Sequence, residues 1–276
     1  MGSMSALVKL AAEHGAPTFE IIFFRNLFAF IPIAGFIVAT RGSAVLHTSR
    51  PLGHLARASI GVAGMFCGFA ALGILPLSEF TALTFAAPLF ITALSGPALG
   101  EKVGPHRWAA VAVGFLGVLI MVRPDPHQIV NVGALLALGQ ALGTAGAMLA
   151  IRQLGTTEPG PTIVFYFTLA ATLFGALGLP FVWVTPSREL LLILVLSGLA
   201  GGVGQLLLTQ AFRIAPAAVI APFDYTTLIW TSLIGHLVWN ETPRWSAAIG
   251  AVVVAASGLY ILWRETRRSA AAPPQS

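Results

Sequence analysis

Apolar runs of about 20 residues, separated by short polar breaks, follow one another along almost the whole chain. A membrane-spanning helix needs such a run, because the hydrocarbon core is about 30 Å thick and each residue advances about 1.5 Å. A spanning β-barrel would show segments of about ten residues that alternate apolar and polar, and the chain shows no such alternation. Only 9% of the residues are charged, against about a quarter in soluble proteins. We therefore predict an all-α integral membrane protein.

The polar breaks divide the chain into one partial and nine full spans, which together predict ten transmembrane helices. The partial span begins at Met4 and ends near residue 12. The full spans are predicted at 18–39, 55–75, 77–98, 104–122, 132–152, 159–183, 189–212, 216–238 and 243–263.

Lysine and arginine are unequally distributed between alternate breaks, and cytoplasmic loops are the ones enriched in them. If the C-terminal tail is cytoplasmic, the breaks on its side carry ten of these residues and the opposite breaks three. We therefore predict that both termini are cytoplasmic. The ten are Arg41, Arg50, Arg57, Lys102, Arg107, Arg152, Arg213, Arg264, Arg267 and Arg268, and the three are Arg123, Arg188 and Arg244.

The second half of the chain repeats the first. A shift of 144 residues places "APTFEIIFF", from Ala16, on "GPTIVFYFT", from Gly160, and a shift of 140 places Glu101 on Glu241. The repeated unit holds five spans, an odd number, so the second copy must cross the membrane in the opposite direction. Such inverted repeats are typical of secondary transporters.

The repeat predicts how the chain is organised. The first five-helix repeat is expected at 4–125, the second at 132–265, and a disordered cytoplasmic tail at 266–276. The first span of the second repeat is full length, so we expect that about half of the first helix is missing from the first repeat.

Several stretches resemble a known family: "APTFEIIFFRNLFAFIPIAG", "AAPLFITALSGPALGEKVGPHRWAAVAVGFLGVLIMVRP" and their second-half partners. They are similar to the EamA-type permeases of the drug/metabolite transporter superfamily, most of all to the aromatic and neutral amino-acid exporters of the YddG type. The resemblance implies a ten-helix carrier of the bacterial inner membrane, with a cavity among the first, third and fourth helices of each half. It marks Arg25, Glu101 and Glu241 as scaffold residues.

The fourth helix of each half carries candidate cavity residues. Thr81, Thr84 and Phe85 follow the spacing of one helix face, and the shift of 140 places Asp224 and Tyr225 on the equivalent face of the ninth span. Polar atoms beside an aromatic ring are what a mixed polar and apolar cavity needs. Asp224 is predicted to be a proton-coupling acid or an anchor for a substrate amine, and the alternative is a structural acid paired near the inner end.

Five further polar or aromatic residues are candidates for the cavity. They are Gln140 and Thr144 on the sixth span, Gln205 and Thr209 on the eighth, and Trp230 on the ninth. The amides and hydroxyls could equally hold helices together.

Two basic residues lie in the first two spans. Lys9 and Arg25 are expected to extend toward the membrane surface or to pair with Glu13, Glu20 or Glu79. The alternative is a role at the exit of the transport pathway.

Other classes of function find little support. The six histidines are scattered, and no His-Glu-x-x-His or Gly-x-Ser-x-Gly motif occurs. We therefore predict that the protein is not an enzyme and that it binds no metal and no cofactor. The basic residues suit anionic lipid better than nucleic acid. The expected partners are the bilayer and a small-molecule substrate, with a monomer as the working expectation. A drug or other metabolite exporter, a channel and a membrane scaffold are the alternatives.

Overall fold

The computed structural model describes residues 2–40, 42, 46–100, 104–122, 131–214, 226–242 and 244–271. These residues form helices, and no strand occurs among them, so the predicted all-α class is confirmed. The helices are α1 (Gly2–Glu13), α2 (Thr18–Thr40), α3 (Pro51–Leu72), α4 (Leu77–Thr84), α5 (Ala87–Leu99), α6 (Pro105–Val122), α7 (Val132–Leu154), α8 (Gly160–Val182), α9 (Arg188–Ile214), α10 (Thr226–Trp239) and α11 (Trp245–Ala271).

Seven stretches of the described residues are long and apolar enough to cross a membrane. They are α2, α3, α4 together with α5, α6, α7, α8 and the part of α9 up to Leu208. The apolar part of α11, Trp245–Ile261, is shorter, and α1 has 12 residues. The predicted span 216–238 begins outside the described residues, which resume at Thr226. A multi-pass helical membrane protein is therefore confirmed.

Local sequence sets where several helices begin. Pro51 occupies the first position of α3, where its missing N–H has no intrahelical partner to lose. The helix therefore starts four residues earlier than the predicted span 55–75, and it ends at Leu72. Asn131 caps α7 by accepting a hydrogen bond of 3.0 Å from the Ala134 backbone N–H.

The fourth predicted span, 77–98, is two helices and not one. The chain turns at Phe85 and Ala86, between α4 and α5. Pro88 lies in the first turn of α5 and cannot donate a backbone hydrogen bond to Thr84, which ends α4. The extent of the predicted span is confirmed, but its single helix is not: α4 ends at Thr84, so Phe85 lies beyond the helix that carries Thr81 and Thr84.

Helix contacts between the first half (residues 2–122) and the second half (131–271) occur in equivalent pairs. Helix α3 packs on α7 as α9 packs on α1, and α2 packs on α9 as α8 packs on α3. Helices α2 and α8, and likewise α6 and α11, are equivalents that contact each other directly. This pattern is the one that a two-fold relation between five-helix units requires, and the exact bounds of those units stay a prediction.

Glycines lie at the centres of the contacts between the halves. A Cβ on Gly143 of α7 would lie 2.5 Å from the Gly64 Cα of α3. A Cβ on Gly250 of α11 would lie 2.5 Å from the Gly117 carbonyl oxygen of α6. Gly64 and Gly143 meet through backbone atoms alone, as in small-residue contacts of membrane helices, whereas the Met121 side chain also lies against Gly250.

Candidate functional site

The candidates on α4 are engaged within their own helix. Thr81 is buried, and its hydroxyl donates to the Leu77 carbonyl oxygen over 2.8 Å. The Thr84 hydroxyl donates to the Thr81 carbonyl oxygen, also over 2.8 Å. Phe85 lies at the turn between α4 and α5 and packs against the main apolar core. In this conformation the hydroxyl protons of both threonines are bonded to backbone and are not available to a ligand.

Gln140 and Thr144 lie on α7, on the side toward α3. The Gln140 Oε1 atom is buried and has no hydrogen-bond partner among the described residues. It lies directly against Gly68 of α3, where an added Cβ would be 2.1 Å away. Thr144, one turn further along, is half-buried. The structure therefore places Gln140 in the contact between the two halves.

The remaining candidates lie on α9, on α10 or outside the described residues. Gln205 is half-buried on α9, four residues after Gly201. The Trp230 side chain on α10 is 60% exposed, so it is not enclosed by the described residues. Asp224, Tyr225 and the Thr209 side chain lie outside what the structure describes. Whether these residues contact a substrate stays a prediction.

Arg25 differs from its predicted surroundings. Its side chain neither extends to the surface nor pairs with Glu13, Glu20 or Glu79, and it is only 4% exposed. Glu20 instead accepts from the Val184 backbone N–H over 3.2 Å.

The Arg25 guanidinium is enclosed by three other helices and by its neighbour on α2. Nη1 donates to the Asn26 Oδ1 atom over 2.8 Å, and the Met4 sulfur of α1 lies 3.4 Å from Nη2. The Met65 sulfur of α3 lies 3.9 Å from Nη1, and a Cβ on Gly201 of α9 would lie 2.8 Å from Nε. The sequence signal for this centre is an arginine within an apolar span.

A polar network around Glu241 joins the two halves at one end of the helices. The Glu241 carboxylate accepts from the Lys9 ammonium over 2.5 Å and from the Leu77 backbone N–H over 2.9 Å. Lys9 also donates to the Leu75 carbonyl oxygen over 3.1 Å and lies 3.9 Å from the Glu13 carboxylate. The predicted pairing of Lys9 with Glu13 is thus confirmed, and Glu241 is its closer partner.

The same network includes an aromatic side chain. The Trp239 indole N–H donates to the Glu13 carboxylate, and the Lys9 ammonium lies 5.2 Å from the centre of the Trp239 ring. Lys9 is 8% exposed and Glu241 15% exposed, so this is a largely buried ion pair. We call these residues, Lys9, Glu13, Leu77, Trp239 and Glu241, the Glu241 network.

A second network around Glu158 joins the halves through their loops. The Glu158 Oε1 atom accepts from the Thr48 hydroxyl and from the Ser49 backbone N–H, each over 3.0 Å, and from the Ser49 hydroxyl over 3.1 Å. The His54 Nε2 atom lies 3.5 Å from Oε2. Burial raises the pKa of the Glu158 carboxyl, but the hydrogen bonds from Thr48 and Ser49 outweigh it and leave the pKa below its ordinary value of 4.5. We call Thr48, Ser49, His54 and Glu158 the Glu158 network.

The two networks lie at opposite ends of α3. Ser49 precedes the first residue of α3 by two positions, and Leu75 follows its last residue by three. A helix of 22 residues is about 33 Å long, which is close to the thickness of the hydrocarbon core. The halves are therefore joined by polar contacts near both ends of a membrane-spanning helix, with Arg25 between them.

Comparison with known proteins identifies the family to which this chain belongs. The EamA-like transporter family matches the chain twice, at residues 1–123 and 131–263. A solved structure aligns with a TM-score of 0.64 and 20% identity over 95% of this chain and 96% of that one, which shows a shared fold alone.

Three relatives carry names that describe transport. A riboflavin transporter of Rhizobium johnstonii is 31% identical over 252 residues, 91% of this chain and 83% of the relative. An S-adenosylmethionine uptake transporter of Rickettsia prowazekii is 29% identical over 91% of this chain and 84% of its own length. A pseudopaline exporter of Pseudomonas aeruginosa is 32% identical over 91% and 88%. None of these three is named for amino-acid export. The chain is a membrane transporter that belongs to the EamA-like transporter family.

Proposed function

We propose that this transporter is a secondary carrier, which moves a small organic metabolite across the bacterial inner membrane by alternating access. In that mechanism two halves rock about a site near the middle of the membrane, which opens to one side at a time. The observation that carries the proposal is the pair of networks at opposite ends of α3, each of which joins residues of the first half to residues of the second. Breaking one network while keeping the other would open the protein at one end only.

The glycine contacts support the same motion. Where Gly64 meets Gly143, the halves touch through backbone and not through interlocked side chains. Interlocked side chains resist sliding, because packed interiors are dense and do not deform continuously. At this contact the halves can slide past each other, and the polar networks at the two ends are specific ties that would have to break for such a motion.

The orientation follows from the distribution of basic residues. We propose that both termini face the cytoplasm, that the Glu241 network lies at the outer surface and that the Glu158 network lies at the inner one. The excess of lysine and arginine in alternate loops supports this assignment.

The proposed substrate class is that of neutral or aromatic amino acids and related zwitterions. The sequence motivates it through the aromatic and polar candidates on the fourth helices, and the names of the relatives add riboflavin and S-adenosylmethionine as compounds to test. The relatives include one named for uptake and one named for export, so both directions of transport belong in the assay.

Flux into liposomes separates a carrier from a channel. The purified protein would be reconstituted and tested with radiolabelled L-phenylalanine, L-leucine, riboflavin and S-adenosylmethionine, with and without a pH gradient. A carrier should show saturable uptake that is accelerated by unlabelled substrate on the opposite side. Flux that rises linearly with concentration and shows no such acceleration would indicate a channel, and the absence of protein-dependent flux would contradict the proposed substrates.

A further inference from the structure

Arg25 is a buried cation without an anionic partner among the described residues. Its side chain is 4% exposed, and its Nε atom has no hydrogen-bond partner. The groups around it are an amide oxygen and two thioether sulfurs, which are neutral and of which the sulfurs accept only weakly. Buried charges in proteins are usually paired, because an isolated one is costly to remove from water. The arrangement therefore leaves a positive charge that an anion could balance.

Arg25 also lies within the membrane-spanning part of the helices, where the two halves meet. It is the eighth residue of α2 and Met65 is seven residues from the end of α3, so both lie about 10 Å inside the Glu241 end of the helices. Gly201 belongs to the second half, whereas Met4 and Met65 belong to the first. The guanidinium is thus located at the junction of the two halves, between the Glu241 and Glu158 networks.

The second half has no counterpart of this polar pair. The shift of 144 that relates "APTFEIIFF" to "GPTIVFYFT" places Arg25 on Leu169 and Asn26 on Ala170. Because leucine and alanine occupy the equivalent positions of α8, the packing of this helix does not itself require a charge there. The departure from the repeat points to a specific role for Arg25.

We propose that Arg25 binds an anionic group, a carboxylate or a phosphate, of the transported molecule. The planar guanidinium suits both groups, because it can donate two parallel hydrogen bonds to two oxygens of either. Asn26 holds the Nη1 edge of the guanidinium, and the missing side chain at Gly201 leaves the Nε edge beside bare backbone. Gln205, one turn beyond Gly201 on α9, is the next polar side chain along that face of the helix.

The proposal rests on the carrier function and adds to it the charge of the substrate. In the present conformation Arg25 is enclosed, so the anion reaches it when the halves separate at one end. Binding then compensates the charge, and loss of the substrate restores the uncompensated state described here.

The first test is thermal stability, which requires no knowledge of the substrate. If Arg25 is unpaired until an anion binds, Arg25→Gln should melt at the same temperature as the unsubstituted protein or higher. Arg57 provides a matched control: it is 7% exposed, and its Nε and Nη1 atoms also lack hydrogen-bond partners among the described residues, but its guanidinium lies 3.9 Å from the centre of the Phe167 ring. Arg57→Gln should therefore melt lower. A clear drop in melting temperature for Arg25→Gln, rescued by Asp224→Asn, would overturn the proposal by showing an internal partner.

The second test uses compounds that differ only in their anionic group. Binding to purified protein would be measured for L-phenylalanine against L-phenylalaninamide, and for riboflavin 5′-phosphate against riboflavin. The unsubstituted protein should bind the anionic member of at least one pair more tightly, and which pair responds distinguishes a carboxylate from a phosphate. Arg25→Gln should weaken that binding by about 10- to 100-fold, the range expected for one charge-assisted hydrogen-bonded contact. Binding of the member that lacks the anionic group should stay within about twofold.

The outcomes separate this inference from the carrier function. Equal binding of both members of each pair, absence of binding to either anion, or an unchanged preference in Arg25→Gln would overturn the role of Arg25. Arg57→Gln should keep the preference for the anion. Failure of the unsubstituted protein to show saturable flux of any compound would instead contradict the carrier function, since binding is measured without transport.

Discussion

The Glu241 network should keep its end of the protein closed, and Glu241→Gln should open it. Glutamine keeps the shape of the side chain and can still accept a hydrogen bond from Leu77, but it removes the negative charge that lies 2.5 Å from Lys9. Loss of one partner of a fully buried ion pair costs about 3–5 kcal/mol. Here Lys9 is 8% exposed and the Glu13 carboxylate stays 3.9 Å away, so we expect about 2 kcal/mol. That corresponds to a roughly 30-fold larger open population.

Thiol labelling at Ser78 would measure the opening. Ser78 is 4% exposed, follows Leu77 directly and has a hydroxyl oxygen without a hydrogen-bond partner among the described residues. Ser78→Cys is therefore a mild substitution, and the native thiol would be removed by Cys67→Ala. Labelling of a buried thiol that requires opening proceeds in proportion to the open population, so the rate in Glu241→Gln should rise about 30-fold.

A neighbouring acid provides the control. Glu79 lies 3.5 Å from Arg244, whose side chain is 72% exposed, and such exposed pairs contribute about 0–1 kcal/mol. Glu79→Gln should therefore change the labelling rate by less than about fivefold. If Glu241→Gln labels no faster than the unsubstituted protein while both melt at the same temperature, the network does not hold this end closed and the reasoning fails.

Three further predictions address the other end, the contact between the halves and the orientation. Because the pKa of Glu158 is lowered on folding, its contribution to stability is present above pH 4.5 and is lost as the pH falls through the folded value. The melting temperature of Glu158→Gln should therefore depend less on pH across that acid range. An unchanged dependence of the melting temperature on pH would contradict this role of Glu158. Gly143→Ala places a Cβ against the Gly64 backbone and should destabilise the protein by about 1–3 kcal/mol in a thermal melt, whereas Gly35→Ala, with no atom within 4 Å of the added Cβ, should not; equal melts would refute the close contact. A cysteine at Glu241 should react with a membrane-impermeant reagent only from outside the cell and one at Glu101 only from the cytoplasm, so labelling from the same side would exclude inverted halves.

The sequence was sufficient to predict the membrane class, most span positions and the family. The thickness of the bilayer fixes the length of an apolar run that can cross it, and such runs can be counted directly in the sequence. The sequence was less informative where a single proline sets the beginning or the end of a helix against the pattern of the apolar run. Pro88 turns the chain inside an apolar segment that reads as one helix, and Pro51 starts α3 earlier than the apolar run suggests.

Side-chain partners were harder to predict, because pairing depends on which helices meet. The sequence predicts that Lys9 extends toward the membrane surface or pairs with an acid of its own half, and Glu13 is one such partner. Its closer partner, Glu241, is 232 positions away and reaches it only because the end of α10 packs near the end of α1. The isolation of Arg25 likewise follows from Met4, Met65 and Gly201, which three different helices bring together and which no local pattern indicates.

The pairing of helices across the halves has a consequence for how the chain matures. Helix α2 packs mainly on α8 and α9, α3 on α7 and α8, and α6 on α11, so most tertiary partners of the first half are synthesised after it. During translation the early helices must therefore remain in the lipid without most of their packing partners. The helices that contact Arg25 and Lys9 from the second half have not yet emerged from the ribosome at that stage. A fragment that ends at Val122 should therefore insert into the membrane but be removed by quality-control proteases, and co-expression of residues 123–276 as a second chain should protect it.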